Sequence, residues 1–145
     1  MQLKSVQVED LLPRSEINVD MDKVGLTFRN KCILITGSAG SIGKEFVRQV
    51  ATFKPSAMML IDQAETPEHD IRLMMHEEFS EIPAEVVVTS ICREDRMKKI
   101  FSVFKPDYVF HAAAYKHVPM MEDNSSEAVQ NNIYGTKYCR PLCKV

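Results

Sequence analysis

No apolar run in this sequence approaches the ~18 residues that a bilayer-crossing helix requires. The start of the chain, Met1-Gln2-Leu3-Lys4, also lacks the apolar centre of a secretion signal, so a cytoplasmic location is expected. Neither charge dominates: 18 Lys and Arg stand against 20 Asp and Glu, a net charge of −2. Such a balance offers nothing to nucleic acid or to an acidic membrane surface. Cysteine is sparse, and the four present, Cys32, Cys92, Cys139 and Cys143, do not fall at zinc-ligand spacings. A chain of 145 residues with 45% hydrophobic content can bury roughly two thirds of its unfolded surface. It needs no disulfide staples, so reduced structural thiols are expected. Internal repeats and low-complexity segments are absent too, and one domain is the expected organisation.

Glycine is scarce as well, yet three of the five stand at 37, 40 and 43. They follow Ile33-Leu34-Ile35, a β-branched apolar run that reads as a buried strand, and they lead directly into an amphipathic segment. A dinucleotide needs this order of elements. Gly37 can take the turn backbone, Gly40 lets the main chain approach a pyrophosphate, and Gly43 permits close helix packing. N–H groups at the helix start, with the positive end of its dipole, would hold the diphosphate. Three glycines alone are a weak signal, and a structural turn is the lesser alternative reading. Asp62 weighs against that: it ends the next apolar run, Met58-Met59-Leu60-Ile61, nineteen residues after Gly43, where a carboxylate would meet an adenosine ribose.

Residues 1–30 alternate acidic and apolar residues around Pro13 without a helical or strand period, and read as a strap across the domain that occupies 31–145. From there the pattern is regular. Strands are expected at 31–36, 58–62, 85–90 and 108–111, and helices at about 41–52, 67–79 and 93–104. Ile71, Met74, Met75 and Phe79 form the apolar face of the second of these helices. Strands alternating with helices of this length predict a doubly wound parallel sheet, truncated after the fourth strand, in the order 3-2-1-4. The ligand crevice would lie between strands one and four.

The second informative stretch is His111-Ala112-Ala113-Ala114-Tyr115-Lys116-His117-Val118-Pro119-Met120-Met121-Glu122. Small residues at the carboxyl end of a central strand let a flat ring or a ribose approach the backbone. In this run, in Thr36-Gly37-Ser38-Ala39-Gly40-Ser41-Ile42-Gly43 and in Asn131-Asn132-Ile133-Tyr134-Gly135-Thr136, the sequence closely resembles the CapD-like nucleotide-sugar 4,6-dehydratases and epimerases. These form the polysaccharide-biosynthesis branch of the extended short-chain dehydrogenases, which have a Rossmann-type fold. Val8-Glu9-Asp10-Leu11-Leu12-Pro13-Arg14 resembles the segment before the catalytic domain in longer relatives anchored at the inner membrane.

The resemblance implies NAD or NADP bound at Gly37, Ser38, Gly40, Ser41, Ile42 and Gly43, with Asp62 at the adenosine ribose. It places position 90, here Ser90, at the adenine, Ile91 among the cofactor-binding residues, Ala112, Ala113 and Ala114 along the cofactor, and Asn131 near the floor of the site. Lys116 and His117 would face the diphosphate of a nucleotide-sugar such as a UDP-sugar, although a solvated loop is an equal reading of His117. Ser90 departs from the family, which usually has an acidic residue there to contact adenine. Asp62 favours a free ribose diol and hence NAD, but only mildly, because the branch uses both cofactors.

No catalytic residue is assigned. Tyr134 and Lys137 are three apart, whereas the family's Tyr or Met and its Lys are separated by four, which stacks them on one helical face. The expectation is the cofactor-binding part of a capsular or surface polysaccharide enzyme, inactive alone, with a homo-oligomer possible. Pro141 interrupts a helix that should continue apolar, and a one-base insertion near codon 138 is the expected cause of that tail. Two other classes stay open, a stand-alone dinucleotide-binding module and an assembly piece that pairs through an exposed sheet edge.

Overall fold

The computed structural model describes residues 20–139. The expectations for the residue 8–14 segment, for Cys143 and for the tail around Pro141 lie outside the described residues. In chain order the elements are α1 (Met21–Phe28), β1 (Cys32–Thr36), α2 (Ser41–Thr52), β2 (Ala57–Asp62), α3 (Glu65–Glu78), β3 (Ala84–Val88), α4 (Glu94–Phe104) and β4 (Tyr108–His111). Then follow α5 (Val118–Asp123), α6 (Ser125–Val129), a π-helix (Gln130–Gly135) and α7 (Thr136–Cys139).

The four strands pair in parallel in the order β3-β2-β1-β4, the Rossmann-type arrangement that the alternation of elements predicts. Side chains of a strand point alternately to its two faces, and both faces here are covered, so β1 is apolar at successive positions. Ile33 and Ile35 pack with Val47, Val50 and Ala51 of α2 and with Ile71, Met74 and Met75 of α3. Leu34 faces the other way, with Met97, Ile100 and Phe101 of α4, and Cys139 joins that layer. Ile33, Leu34 and Ile35 are fully buried, and burial of each such side chain stabilises the fold by about 1.5–3 kcal/mol. The two layers hold β1 and β4 side by side, and the site forms at their carboxyl ends.

Four elements depart by more than one residue, or in type, from the sequence-based expectations. Residues 21–28, expected to lack regular structure, form α1, capped by the Asp20 side chain accepting from Lys23 N at 3.1 Å. Phe28 anchors it edge-on to Tyr108 and Phe110. Helix α3 starts at Glu65 and not near 67, because Pro67 is tolerated in a first turn, where its missing N–H has no helical acceptor. Strand β3 stops at Val88, because Ser90 O accepts from Arg93 N and opens the turn into α4. Residues 130–135, expected to continue an α-helix, take the wider π register, so Tyr134 lies in a π-helix and Lys137 in α7.

Candidate functional site

The backbone of the glycine loop shapes the site. Gly37 lies in the left-handed region at φ 73°, and its N–H donates to Ile61 O at 2.7 Å, turning the chain away from β1. A Cβ at Gly37 would stand 2.6 Å from the backbone of Ala112 and Ala113, so the glycine loop and the alanine segment after β4 are in direct contact. Gly43 is equally constrained, since its Cβ would reach 1.8 Å from Gly37 O. Gly40, by contrast, has open space beside it, with Gly37 O at 3.4 Å the nearest atom. No side chain caps α2, which leaves the N–H groups of its first turn for a ligand or water.

A cleft lies over this loop. It is lined by Gly37, Gly40, Ile61, Asp62, Gln63, Thr89, Ser90, Ile91, Ala112, Ala113, Ala114, Tyr115 and Asn131. Nine of these positions were expected from the sequence: Gly37, Gly40, Asp62, Ser90, Ile91, Ala112, Ala113, Ala114 and Asn131. Ser41 and Ile42 are instead exposed in the first turn of α2, and Gly43 is buried behind the loop. Lys116 and His117 stand exposed on the segment before α5, outside the lining.

Ser38 turns away from the cleft. Its hydroxyl lies 2.9 and 3.0 Å from the two carboxylate oxygens of Glu68, and both residues are fully buried. Burial raises the Glu68 carboxyl from its ordinary 4.5 to about 7, against the opposing effect of the Ser38 hydrogen bond and with help from the nearby charge of Asp62. The Asp62 carboxylate accepts from Ala39 N at 3.2 Å and from Ala64 N at 2.9 Å, which fixes the side chain against the glycine loop.

On the opposite wall the two asparagines of the π-helix hold the alanine segment. Asn131 Nδ2 donates to Ala113 O at 3.0 Å and to Asn132 Oδ1 at 2.9 Å. Asn132 accepts from Tyr115 N and donates to Tyr115 O, both at 2.9 Å, and so pairs with that backbone as a strand would. Gly135 keeps this helix close to Ile91, whose Cδ1 would lie 2.5 Å from an added Cβ. Asn132→Ala is expected to lower stability by about 1–3 kcal/mol, because a part-buried N–H and carbonyl lose their partners together. Urea unfolding measures it, and an unchanged midpoint would show that water replaces the asparagine without loss.

A second tether runs through His111. Thr136 Oγ1 gives its proton to Asn132 O at 2.8 Å, so it can only accept from His111 Nε2 at 2.9 Å. The ring is then the Nε2–H tautomer, and Nδ1 accepts from Thr36 Oγ1 at 2.7 Å. Burial lowers the pKa of His111, which suits the neutral ring that this chain of bonds requires.

Sequence reasoning missed Ile61, Gln63, Thr89 and Tyr115 in the lining, and it missed Glu68. Gln63 and Tyr115 follow β2 and β4, and Gln63 Nε2 donates to Tyr115 Oη at 3.1 Å across the end of β1. Thr89 carries a buried Oγ1 with no hydrogen-bond partner. Spacing held a signal for Glu68, which precedes Ile71 and Met75 by three and seven residues on one helical face. Cys32 and Cys92 are reduced thiols. Among the described residues no cluster of potential metal ligands occurs, and no helix is long and apolar enough to cross a membrane.

Residues 33–144 match the profile of a family described as "Polysaccharide biosynthesis protein". The capsular polysaccharide biosynthesis protein CapD of Staphylococcus aureus is 42% identical over 140 residues, which are 93% of this chain and 23% of CapD. The inverting UDP-N-acetylglucosamine 4,6-dehydratase of Campylobacter jejuni is 29% identical over 117 residues, 80% of this chain and 33% of that enzyme. The chain thus spans between about a quarter and a third of the length of these relatives. Among solved structures, the UDP-glucose 4-epimerase of Stenotrophomonas maltophila, with bound NAD and formylated UDP-arabinopyranose, superposes with a TM-score of 0.67. The match covers 77% of this chain and 33% of that one at 20% identity, a likeness of fold.

Proposed function

Because this chain belongs to the polysaccharide biosynthesis protein family, we propose that it is the nicotinamide-dinucleotide-binding part of a nucleotide-sugar 4,6-dehydratase or epimerase. The observation that carries this is the cleft itself. It sits at the switch between β1 and β4, with a glycine turn below, a carboxylate at one end and three alanines along one wall.

The residues fit the cofactor. Gly40 leaves open the space that a diphosphate would take, above an uncapped helix N-terminus. The unpartnered hydroxyl of Thr89 is a buried polar group in want of a bond, at the adenine end of the cleft. Ser90, whose hydroxyl accepts from Cys92 N at 3.2 Å, steadies the turn there. Asp62 would bind the ribose diol, and Asn131 would hold the alanine wall in place. Ser41, Ile42 and Gly43 would act through their backbone N–H groups, and Ser38 by anchoring the loop from below.

When bound, a nicotinamide dinucleotide supplies a hydride acceptor for a sugar carbon. The chain's own residues bind and orient it. Lys116 and His117, exposed beyond the alanine wall, would meet the diphosphate of the nucleotide-sugar in the whole protein. Tyr134 and Lys137 are not proposed as catalytic, and no turnover is expected of these 145 residues alone.

Asp62 is the single charged group in the lining, which contains no Lys, Arg or His to meet a ribose 2′-phosphate. NAD is therefore expected to bind with a Kd on the order of micromolar, at least about tenfold tighter than NADP. Calorimetric titration of the purified chain with each dinucleotide is the test. Equal affinities would remove the NAD preference, and no heat from either at millimolar concentration would end the dinucleotide reading.

A further inference from the structure

The Glu68 carboxyl is fully buried one layer beneath the glycine loop, and no cation pairs with it among the described residues. Its contact is Ser38, inside the loop, bonded to both carboxylate oxygens. Asp62 faces it from the end of β2 with a like charge. Glu68 itself lines a shallow cleft on the far side from the dinucleotide cleft, together with Glu65, His69 and Arg72 of its own helix and Val86 and Val88 of β3. Neither carboxylate belongs at first sight under a seat for a dianionic diphosphate. Asp62 has an evident task at the ribose, whereas Glu68 does not reach the dinucleotide cleft.

We infer that Glu68 is a positioning residue whose protonated carboxyl sets the loop through Ser38, so that dinucleotide binding and the uptake of one proton by Glu68 favour each other. The inference rests on the dinucleotide reading above. A diphosphate brought over the loop adds negative charge close to a carboxyl that already shares its surroundings with Asp62 in a medium of low dielectric. Its charged form becomes less favourable, and by reciprocity the protonated form binds the diphosphate more tightly. The direction of the group's own equilibrium agrees, since burial holds it near neutrality and leaves a proton to be taken up at pH 7.

The test uses the intact chain and NAD. Between about pH 6 and about pH 8.5 the Kd is expected to rise about three- to tenfold, the upper figure being close to the coupling typical of linked sites. At about pH 7 the heat of binding should depend on the ionisation enthalpy of the buffer, reporting proton uptake. Glu68→Gln keeps an acceptor for Ser38 and is expected to bind NAD with a Kd that changes less than about twofold over the same range. Should that variant not fold, the side-chain carboxyl resonance of Glu68 in the unaltered chain gives the same answer. Its titration midpoint should move upward when NAD is added. Binding with a flat pH profile, buffer-independent heat or an unmoved midpoint would overturn the inference alone. No binding at any pH would overturn the dinucleotide reading and this inference with it.

Discussion

Gly43→Ala is expected to lower stability by about 2–4 kcal/mol and Gly40→Val by no more than about 1 kcal/mol, while Gly40→Val should abolish NAD binding in a chain that is still folded. Surroundings distinguish the two glycines. A Cβ at Gly43 would penetrate Gly37 O at 1.8 Å and press on Ser38 Cα at 3.0 Å, and both are backbone atoms that cannot swing aside. Relief requires the first turn of α2 to move off the loop. Gly40 has φ −70° and ψ 163°, extended backbone that valine adopts readily, and a Cβ there would meet nothing closer than 3.4 Å. The valine methyl groups would fill the space reserved for the diphosphate, with a loss of at least about a hundredfold in affinity, or about 3 kcal/mol. Denaturant unfolding and calorimetry on both variants measure the two effects separately. Unimpaired NAD binding by Gly40→Val would mean that the ligand does not cross this loop.

The chain is expected to lose about 3 kcal/mol of stability through Glu68 as pH rises from 4.5 to about 7. The carboxyl in the unfolded chain ionises near 4.5 while the folded one remains protonated up to about 7, so across that window the unfolded state binds fewer protons. The contribution is whole below 4.5 and gone above about 7. Burial therefore makes this side chain oppose the usual trend of carboxylates, which stabilise proteins as they ionise. His111 acts in the other direction: its folded pKa is lowered below 6.5, so its share is present above 6.5 and is lost as pH falls through the folded value. Urea unfolding of the unaltered chain and of Glu68→Gln over a pH series isolates the carboxyl, because His111 is common to both. A difference between them that does not change from pH 4.5 to 7 would show that Glu68 titrates as in solvent.

Apolar runs made the sheet legible in advance. Ile33-Leu34-Ile35 and Met58-Met59-Leu60-Ile61 are too short for helices and too apolar for surface strands, and their alternation with helical segments leaves few topologies. The cleft followed from the same logic, since strand ends and the glycine spacing locate a crevice without any knowledge of side-chain direction. What stayed hidden depends on direction. Ser38 reads as part of a phosphate loop, yet its hydroxyl points down to Glu68, and glutamate in a helix is read as solvated by default. The α1 helix escaped notice because Val24, Gly25 and Thr27 are poor helix formers, and tertiary contacts of Phe28 decide its conformation. The π register of residues 130–135 leaves no compositional mark either, because it follows from how Asn131, Asn132 and Gly135 meet their neighbours.

The absence of a side chain at Gly37 leaves no gap between the floor of the cleft and the main chain of Ala112 and Ala113. Floor and wall are therefore one stiff block, with a fixed spacing set by the pairing of β1 with β4. Any widening on the way to a bound state must come from above, where Gln63 and Tyr115 join hands over the end of β1. A solvent-facing bond of that kind contributes only about 0.5–1.5 kcal/mol, so the latch opens at little expense while the cradle beneath keeps its shape.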